Sequence, residues 1–310
     1  MDILVLSGGG VNGLVQLGVL QVLHEQSKLT NVSTFVGTSV GAIIGYLLMI
    51  GYSPLEVVRV LDSSPLFDQL SHLNLSNLLK LKGGVSFDPI REALGDLTML
   101  KLGVRDLTLI DLQTLTGKTL ICTTFNLTKY QDEYLSPATH ANLFTSDALR
   151  MTSNLPLIFD RFQGESGDYY LDGCLVENFP IGMGRYVAES ILEICDSQTP
   201  QVKVNELSVI GVNLSMAKPS HDDTSVPDLE TYVSQLLHAT SFVVGRKMAQ
   251  RRDMAQNPRI REKVITVELD QATDGFRFGV DRVHRLDLFV RGYRYASSVY
   301  PPRSPLYAGG

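Results

Sequence analysis

Twice near the start of the chain, a short aliphatic run ends in a glycine turn and is followed at once by an apolar segment of helix length. Ile3 to Leu6 precedes Gly8-Gly9-Gly10-Val11-Asn12-Gly13, and Val15, Leu17, Val19, Leu20, Val22 and Leu23 then make a strongly apolar helix. Thr34 to Gly37 precedes Gly37-Thr38-Ser39-Val40-Gly41, after which a helix is predicted over residues 40–49. Short continuous runs of β-branched and aliphatic residues bounded by turns are strands buried on both faces, as in a parallel sheet. The repeated order strand, turn, helix therefore predicts an α/β fold. Both glycine turns fall at the carboxyl ends of strands, where ligands of such sheets collect.

Further strands are expected over residues 120–124, 169–171, 209–214 and 264–268, with helices over 142–152 and 229–255 and a surface loop over 216–228. From Ser53 to Leu109 the pattern is mainly helical, with Leu55, Val57, Val58 and Leu61 in one segment and Leu75, Leu78, Leu79 and Leu81 in another. Such helices pack a core or cover a site. Near the end, Val283, Leu286, Val290 and Tyr293 recur at helical spacing, with Phe289 and Ala296 widening the face, which predicts a helix packed on the body. A hydrophobic content of 44% is enough for a substantial core, and one domain is expected over residues 1–300 with a frayed, Pro-rich tail over 301–310.

Charge narrows the partners. With 27 Lys plus Arg against 33 Asp plus Glu, the formal charge is −6, so no global basic field exists for nucleic acid. Arg246, Lys247, Arg251 and Arg252 form a local basic cluster, read either as a solvated helix face or as a contact for lipid phosphates. The three cysteines, Cys122, Cys174 and Cys195, fit neither a CxxC metal site nor a disulfide framework. No basic segment opens the chain, so no signal peptide is expected, and a cytoplasmic location is the expectation. Leu29 to Leu55 carries no charge, which raises the question of a membrane span. Glycines at 37, 41, 45 and 51 and the polar Thr38-Ser39 favour buried elements instead.

The pentapeptide Gly37-Thr38-Ser39-Val40-Gly41 has the form G-x-S-x-G between a strand and a helix. A sharp turn there holds a serine hydroxyl at the sheet edge, and glycines on either side let neighbouring backbone pass close by. The helix N-terminus that follows favours developing negative charge. The loop Gly8 to Gly13 also satisfies the dinucleotide pattern G-x-G-x-x-G, but the acid expected at the end of the second strand is replaced by the Gly37-Thr38-Ser39 turn. No Lys followed by Ser or Thr closes the loop, so it is not a P-loop. Backbone N–H groups of Gly9, Gly10 and Val11 make better sense as oxyanion donors.

A serine nucleophile needs a base. None of His24, His72, His140, His221, His238 and His284 follows a strand at a glycine turn, although a triad through His238 or His284 is an alternative. Asp172-Gly173 ends a predicted strand and is the better candidate, while an Asp-Gly turn is by itself a common hairpin signal. An aspartate with a pKa near ~4 is a weak base, so this one has to be made more basic by burial.

Gly8 to Gly13, Gly37 to Gly41 and Asp172-Gly173-Cys174, in this order, resemble the motifs of the patatin-like phospholipase family. Ala148 to Ser153 with Leu155-Pro156, and Leu171 to Pro180 (LDGCLVENFP), also resemble segments that accompany the family's aspartate. The resemblance implies a three-layer fold with a central, mostly parallel sheet flanked by helices. It implies a Ser39 and Asp172 dyad without histidine or metal or other cofactor, with Gly8, Gly13, Gly37, Gly41 and Gly173 shaping the turns. The expected activity is hydrolysis of acyl esters of phospholipids or neutral lipids, with peripheral membrane contact. A lipid- or protein-binding scaffold of low turnover is the alternative. Asn12 stands where the family commonly has a basic residue, and Cys174 where it has Gly or Ala.

Overall fold

The computed structural model describes residues 2–63, 67, 83–198, 206–216, 232, 235, 236, 239, 240, 257–269 and 279–301. In chain order the elements are β1 (Asp2–Leu6), α1 (Gly13–Glu25), β2 (Val32–Thr38), α2 (Val40–Met49), α3 (Pro54–Ser63), α4 (Asp88–Leu102), α5 (Leu109–Thr116), β3 (Thr119–Asn126) and β4 (Gln131–Leu135). There follow α6 (Thr145–Thr152), β5 (Phe162–Gln163), β6 (Tyr169–Asp172), α7 (Ile181–Gln198), β7 (Leu207–Met216), β8 (Ile260–Leu269) and α8 (Arg282–Val299).

Among the described residues, all eight strands join one sheet. Its centre, in the order β8, β7, β1, β2, β3, is parallel throughout. Strands β4, β5 and β6 add antiparallel pairings beyond it. The chain winds from β1 to β2 to β3 in one direction and places β7 and β8 on the other side of β1. The direction of winding thus reverses beside β1, and a crevice opens at the carboxyl end of the sheet at such a point.

Alternation along β1 divides the core into layers. Leu4 and Leu6 join Leu17, Leu20, Ile44 and Leu47 of α1 and α2 on one face. Ile3 and Val5 meet Ile181, Ala188 and Leu192 at and along α7 on the other. This is the three-layer architecture that the sequence predicted, with helices on both faces of a mixed but centrally parallel sheet.

Strand β3 sets the positions of two neighbouring strand ends. Residues Cys122 to Asn126 pair with β4, while Thr124 to Asn126 also pair with β6, so β4 and β6 occupy opposite edges of β3. Residues Thr119 to Thr123 pair with β2, and β2 likewise cannot share the β4 edge. Strands β2 and β6 therefore lie end to end along one edge of β3. The first is parallel to β3 and the second antiparallel, so their carboxyl ends face each other.

Two expectations need correction. The helix foreseen over residues 142–152 begins at Thr145, because the preceding backbone is tied to the start of α5: Leu109 N donates to Leu143 O and Ile110 N to Ala141 O. The C-terminal helix α8 packs on the body through part of the expected face: Ala296 is buried and Phe289 and Tyr293 pack against the core, together with the buried Leu288 and Gly292, while Val283, Leu286 and Val290 are exposed. The reason is steric. A Cβ on Gly292 would stand 1.9 Å from Val15 O, and one on Gly18 would stand 2.1 Å from Phe289 O, so two glycines let the backbones of α1 and α8 touch.

Leu75 to Leu81, most of the helix foreseen over residues 229–255, the basic cluster and the tail after Pro301 lie outside the described residues. Among the described residues, no single helix is long and apolar enough to cross a membrane; α2 and α3 pass that test only as a pair bent by 117°.

Candidate active site

Ser39 is the single residue between β2 and α2, and the turn is sharp. Its φ of 54° and ψ of −129° are unusual for a side chain other than glycine, and such a conformation stores about 1–3 kcal/mol that surrounding structure has to hold. The holding contacts are backbone approaches. A Cβ on Gly41 would lie 2.5 Å from Ser7 O and 2.6 Å from Leu6 O, and one on Gly37 would lie 2.5 Å from Ala42 N. Ser39 N donates to Thr152 Oγ1 at 3.0 Å, Thr152 Oγ1 in turn donates to Thr123 O, and Ser39 O accepts from Ala42 N at 2.9 Å.

The glycine loop leaves β1 beside this turn. Its base is pinned by Gln16, whose amide Nε2 donates to Ser7 O at 2.6 Å and Ser7 Oγ at 2.9 Å, while Ser7 Oγ accepts from Leu214 N at 2.9 Å. Gly8 N donates to Asn178 O at 3.0 Å, and Asn12 N donates to Gly9 O at 3.0 Å, closing a 3₁₀ turn over Gly10–Asn12. Gly10 has a φ of 54°, a value that glycine adopts without strain. The first N–H groups of a helical turn have no partner within it, so those of Gly10 and Val11 head the turn as unclaimed donors of the helix itself.

Asp172 ends β6 and is wholly buried. Its backbone N donates to Asn154 O at 2.9 Å. Its two carboxylate oxygens are used differently. Oδ1 accepts from Cys174 N at 2.8 Å and so caps the 3₁₀ turn Gly173–Leu175, whereas Oδ2 has no fully formed hydrogen bond. Burial raises the pKa of this carboxyl to about 6; the nearby Ser39 hydroxyl and the Cys174 N–H favour the charged form and offset part of that rise. Ser39 is thus close enough to influence Asp172, with no fully formed hydrogen bond between the two side chains. Gly173 is needed for the approach, since a Cβ there would lie 2.3 Å from Thr123 O. Cys174 is buried beside Val85, Phe87 and Phe159, where a small apolar side chain fits.

Ser39, Gly10, Val11 and Gly13 open onto a cavity of about 130 Å³ whose remaining walls are almost wholly apolar, including Leu14, Leu17 and Leu47 from α1 and α2, Val57 and Leu61 from α3, and Leu94 and Leu97 from α4. The helical excursion after Ser53 therefore does more than fill the core: its described part walls the space in front of Ser39. Gly9 is not among the lining residues; its carbonyl closes the turn that presents Gly10 and Val11. His24, His140 and His284 are also absent from the lining, and His72, His221 and His238 lie outside the described residues.

Several supporting residues lie in the segments that resemble the family's, but the sequence alone assigns them no role. Arg150 is buried, donates to Asn154 Oδ1 at 2.9 Å and to Asp160 Oδ1 at 2.9 Å, and stacks on Phe87 with 4.6 Å to the ring centre. Desolvation lowers its pKa to about 10, which leaves it charged at neutral pH. Glu177 and Asn178 tie the three turns together, for Thr38 Oγ1 donates to Glu177 O at 2.9 Å and Gly8 N to Asn178 O at 3.0 Å. The buried Glu177 carboxylate also accepts from Tyr134 Oη. These residues take part through tertiary contacts, several of them to main-chain carbonyls, which sequence spacing does not reveal.

The sequence family described as "Patatin-like phospholipase" matches residues 4–184, more than half of the chain, including both glycine turns and the Asp172 turn. The chain is 34% identical over 183 residues to "Probable lipid hydrolase 463L" of Invertebrate iridescent virus 6, covering 57% of this chain and 61% of that protein. It thus spans about six-tenths of the length of this viral relative. It is also 28% identical over 244 residues to "Uncharacterized protein YqhO" of Bacillus subtilis, covering 70% of this chain and 80% of that one. Among solved structures, VipD from Legionella pneumophila superposes with a TM-score of 0.50 at 17% identity, over 96% of this chain and 66% of that chain, a likeness of fold. With the family match across all three turns, the chain belongs to the patatin-like phospholipase family, a family of lipid hydrolases.

Proposed function

We propose that this protein is a serine acyl hydrolase that cleaves fatty-acyl esters of phospholipids or neutral lipids at a Ser39 and Asp172 dyad. Ser39 Oγ attacks the ester carbonyl and forms the new C–O bond as its proton passes to Asp172. The carbonyl oxygen becomes an oxyanion that accepts hydrogen bonds from the backbone around Gly9, Gly10 and Val11. Each such donor is worth about 3 kcal/mol in comparable hydrolases, because the charge it meets exists only in the transition state. The tetrahedral species then expels the alcohol, which takes the proton from Asp172. Water then attacks the acyl-Ser39 ester and gives up its proton to Asp172; the C–O bond to Ser39 Oγ breaks, Asp172 returns the proton to that oxygen, and the fatty acid leaves with the dyad restored.

The observation that carries this reading is a buried carboxyl with a pKa raised to about 6 beside a strained serine that faces an apolar cavity. A base of that pKa is charged at neutral pH yet holds a proton far better than an exposed aspartate. The cavity offers an acyl chain an apolar lining and leaves the head group outside, which also implies peripheral contact with lipid surfaces.

A second reading, a binding scaffold with little turnover, draws on the unpartnered Asp172 Oδ2. An alkyl fluorophosphonate separates the two. A hydrolase forms a phosphonyl ester on Ser39, seen as a mass increase that Ser39→Ala abolishes and Asp172→Asn slows; a wild type that binds lipid but never reacts supports the scaffold.

A further inference from the structure

Two side chains that carry a hydrogen-bonding atom line the cavity, Ser39 and Ser153; every other described lining residue is glycine, alanine, or a larger apolar residue. Ser153 is 4% exposed, and its Oγ has no hydrogen-bond partner. A buried hydroxyl without a partner is destabilising by about 1–3 kcal/mol, so its persistence asks for a ligand that completes it. Its neighbour Thr152 accepts the Ser39 N–H at 3.0 Å, which sets Ser153 one residue from the nucleophile's own anchor. Ser153 belongs to the segment after α6 and lines the same cavity as Ser39.

We propose that Ser153 is a substrate-contacting residue whose hydroxyl donates to the alkoxy oxygen of the ester held at Ser39. This inference rests on the hydrolase reading. The glycine loop serves the carbonyl oxygen, which leaves the alkoxy oxygen as the other polar atom of an ester whose acyl chain fills an apolar cavity. Negative charge grows on that oxygen as the C–O bond to the alcohol breaks, and a hydrogen bond from Ser153 Oγ stabilises it. The proton that finally reaches the alkoxide is the one that Asp172 took from Ser39, so Ser153 gives up none of its own. The hydroxyl therefore matters most for esters with poor leaving groups, which is the case for glycerol esters.

The test compares the ethyl and p-nitrophenyl esters of octanoic acid with wild type, Ser153→Ala and Ser153→Cys. Ser153→Ala is expected to lower kcat on the ethyl ester by about ten- to a hundred-fold, the range for a hydrogen bond to a charged group. On the nitrophenyl ester, whose leaving group needs no such help, the loss stays within about three-fold, KM moves little on either ester, and Tm does not fall. Ser153→Cys, similar in size with a weak donor, falls between. Equal losses on both esters, no loss on the ethyl ester, or a lowered Tm overturn the assignment. A wild type that turns over neither ester and leaves Ser39 unlabelled by fluorophosphonate overturns the hydrolase reading itself.

Discussion

Thr38 and Asp172 pair with consecutive residues of β3, Thr123 and Thr124, along the same edge of that strand. Strand β2 therefore delivers Ser39, and strand β6 delivers Asp172, from opposite directions to one point. Main-chain pairing to β3 brings them together across the 132 residues that separate them in sequence. For the proposed dyad, no histidine is then needed to bridge a gap, and the base would be strengthened by burial rather than by residue type.

The first consequence is a pH dependence. With the Asp172 pKa raised to about 6, hydrolysis should rise with pH and level off above that value, because the charged carboxylate is the base. The acidic limb of a kcat/KM profile on a soluble ester measures it. A limb centred near ~4, the ordinary carboxyl value, contradicts the burial argument.

Stability should respond in the opposite sense. The folded protein binds the Asp172 proton more tightly than the unfolded chain does, so this group's contribution to stability is fully present below the ordinary carboxyl pKa and is lost as pH rises through about 6. Asp172→Asn removes the buried charge. It should gain up to about 3 kcal/mol over wild type at pH 7 and little at pH 4, while losing hydrolysis. Urea denaturation at the two pH values reads the difference, and an equal effect at both contradicts it.

Gly41→Ala should damage the elbow rather than the chemistry alone. The added Cβ meets two main-chain oxygens, Ser7 O and Leu6 O, neither of which can turn aside. A loss of about 1–3 kcal/mol by thermal denaturation is expected, with activity falling alongside. Full stability and full activity in this variant would mean that β1 and α2 are not held so closely.

Arg150→Met should loosen the support behind Asp172. It removes the bond to Asn154 Oδ1, and Asn154 O is the acceptor for Asp172 N. Because Asp160 is half exposed, the lost ion pair counts for little, and the expected destabilisation is about 2 kcal/mol from the unpaired buried groups. Arg150→Lys should not restore activity, since one ammonium does not reproduce the planar fork that serves Asn154 and Asp160 together and stacks on Phe87. Hydrolysis by both variants, scored beside Tm, decides this.

Much of this fold was legible in the sequence because its strands are buried on both faces. Uninterrupted runs such as Ile3 to Leu6 have few alternative structures, and the helix over residues 40–49 has the bounds expected of it. The packed face of α8 is legible only in part. Phe289, Tyr293 and Ala296 pack as their spacing suggests, but Val283, Leu286 and Val290 do not, because the helix docks through Gly292, a residue with no hydropathy to signal it. The start of α6 was misjudged because backbone bonds to α5 hold residues 141–143, and no local propensity records a partner so distant. In the site, Ser39, Gly10, Val11 and Asp172 stood out because turns demand glycine and chemistry demands an acid. Arg150, Ser153, Glu177 and Asn178 fall within the two segments that resemble the family's, but what each one does is set by burial and pairing, which the sequence does not show.

The most direct test of the dyad is fatty acid released from phospholipid vesicles and from a triglyceride emulsion by wild type and by Ser39→Ala, with both shown to be folded. Release by wild type and none by Ser39→Ala is the predicted result, and the substrate that yields it names the lipid class. Equal release by the two proteins contradicts the role given to Ser39, and release by neither contradicts the hydrolase reading for these lipids.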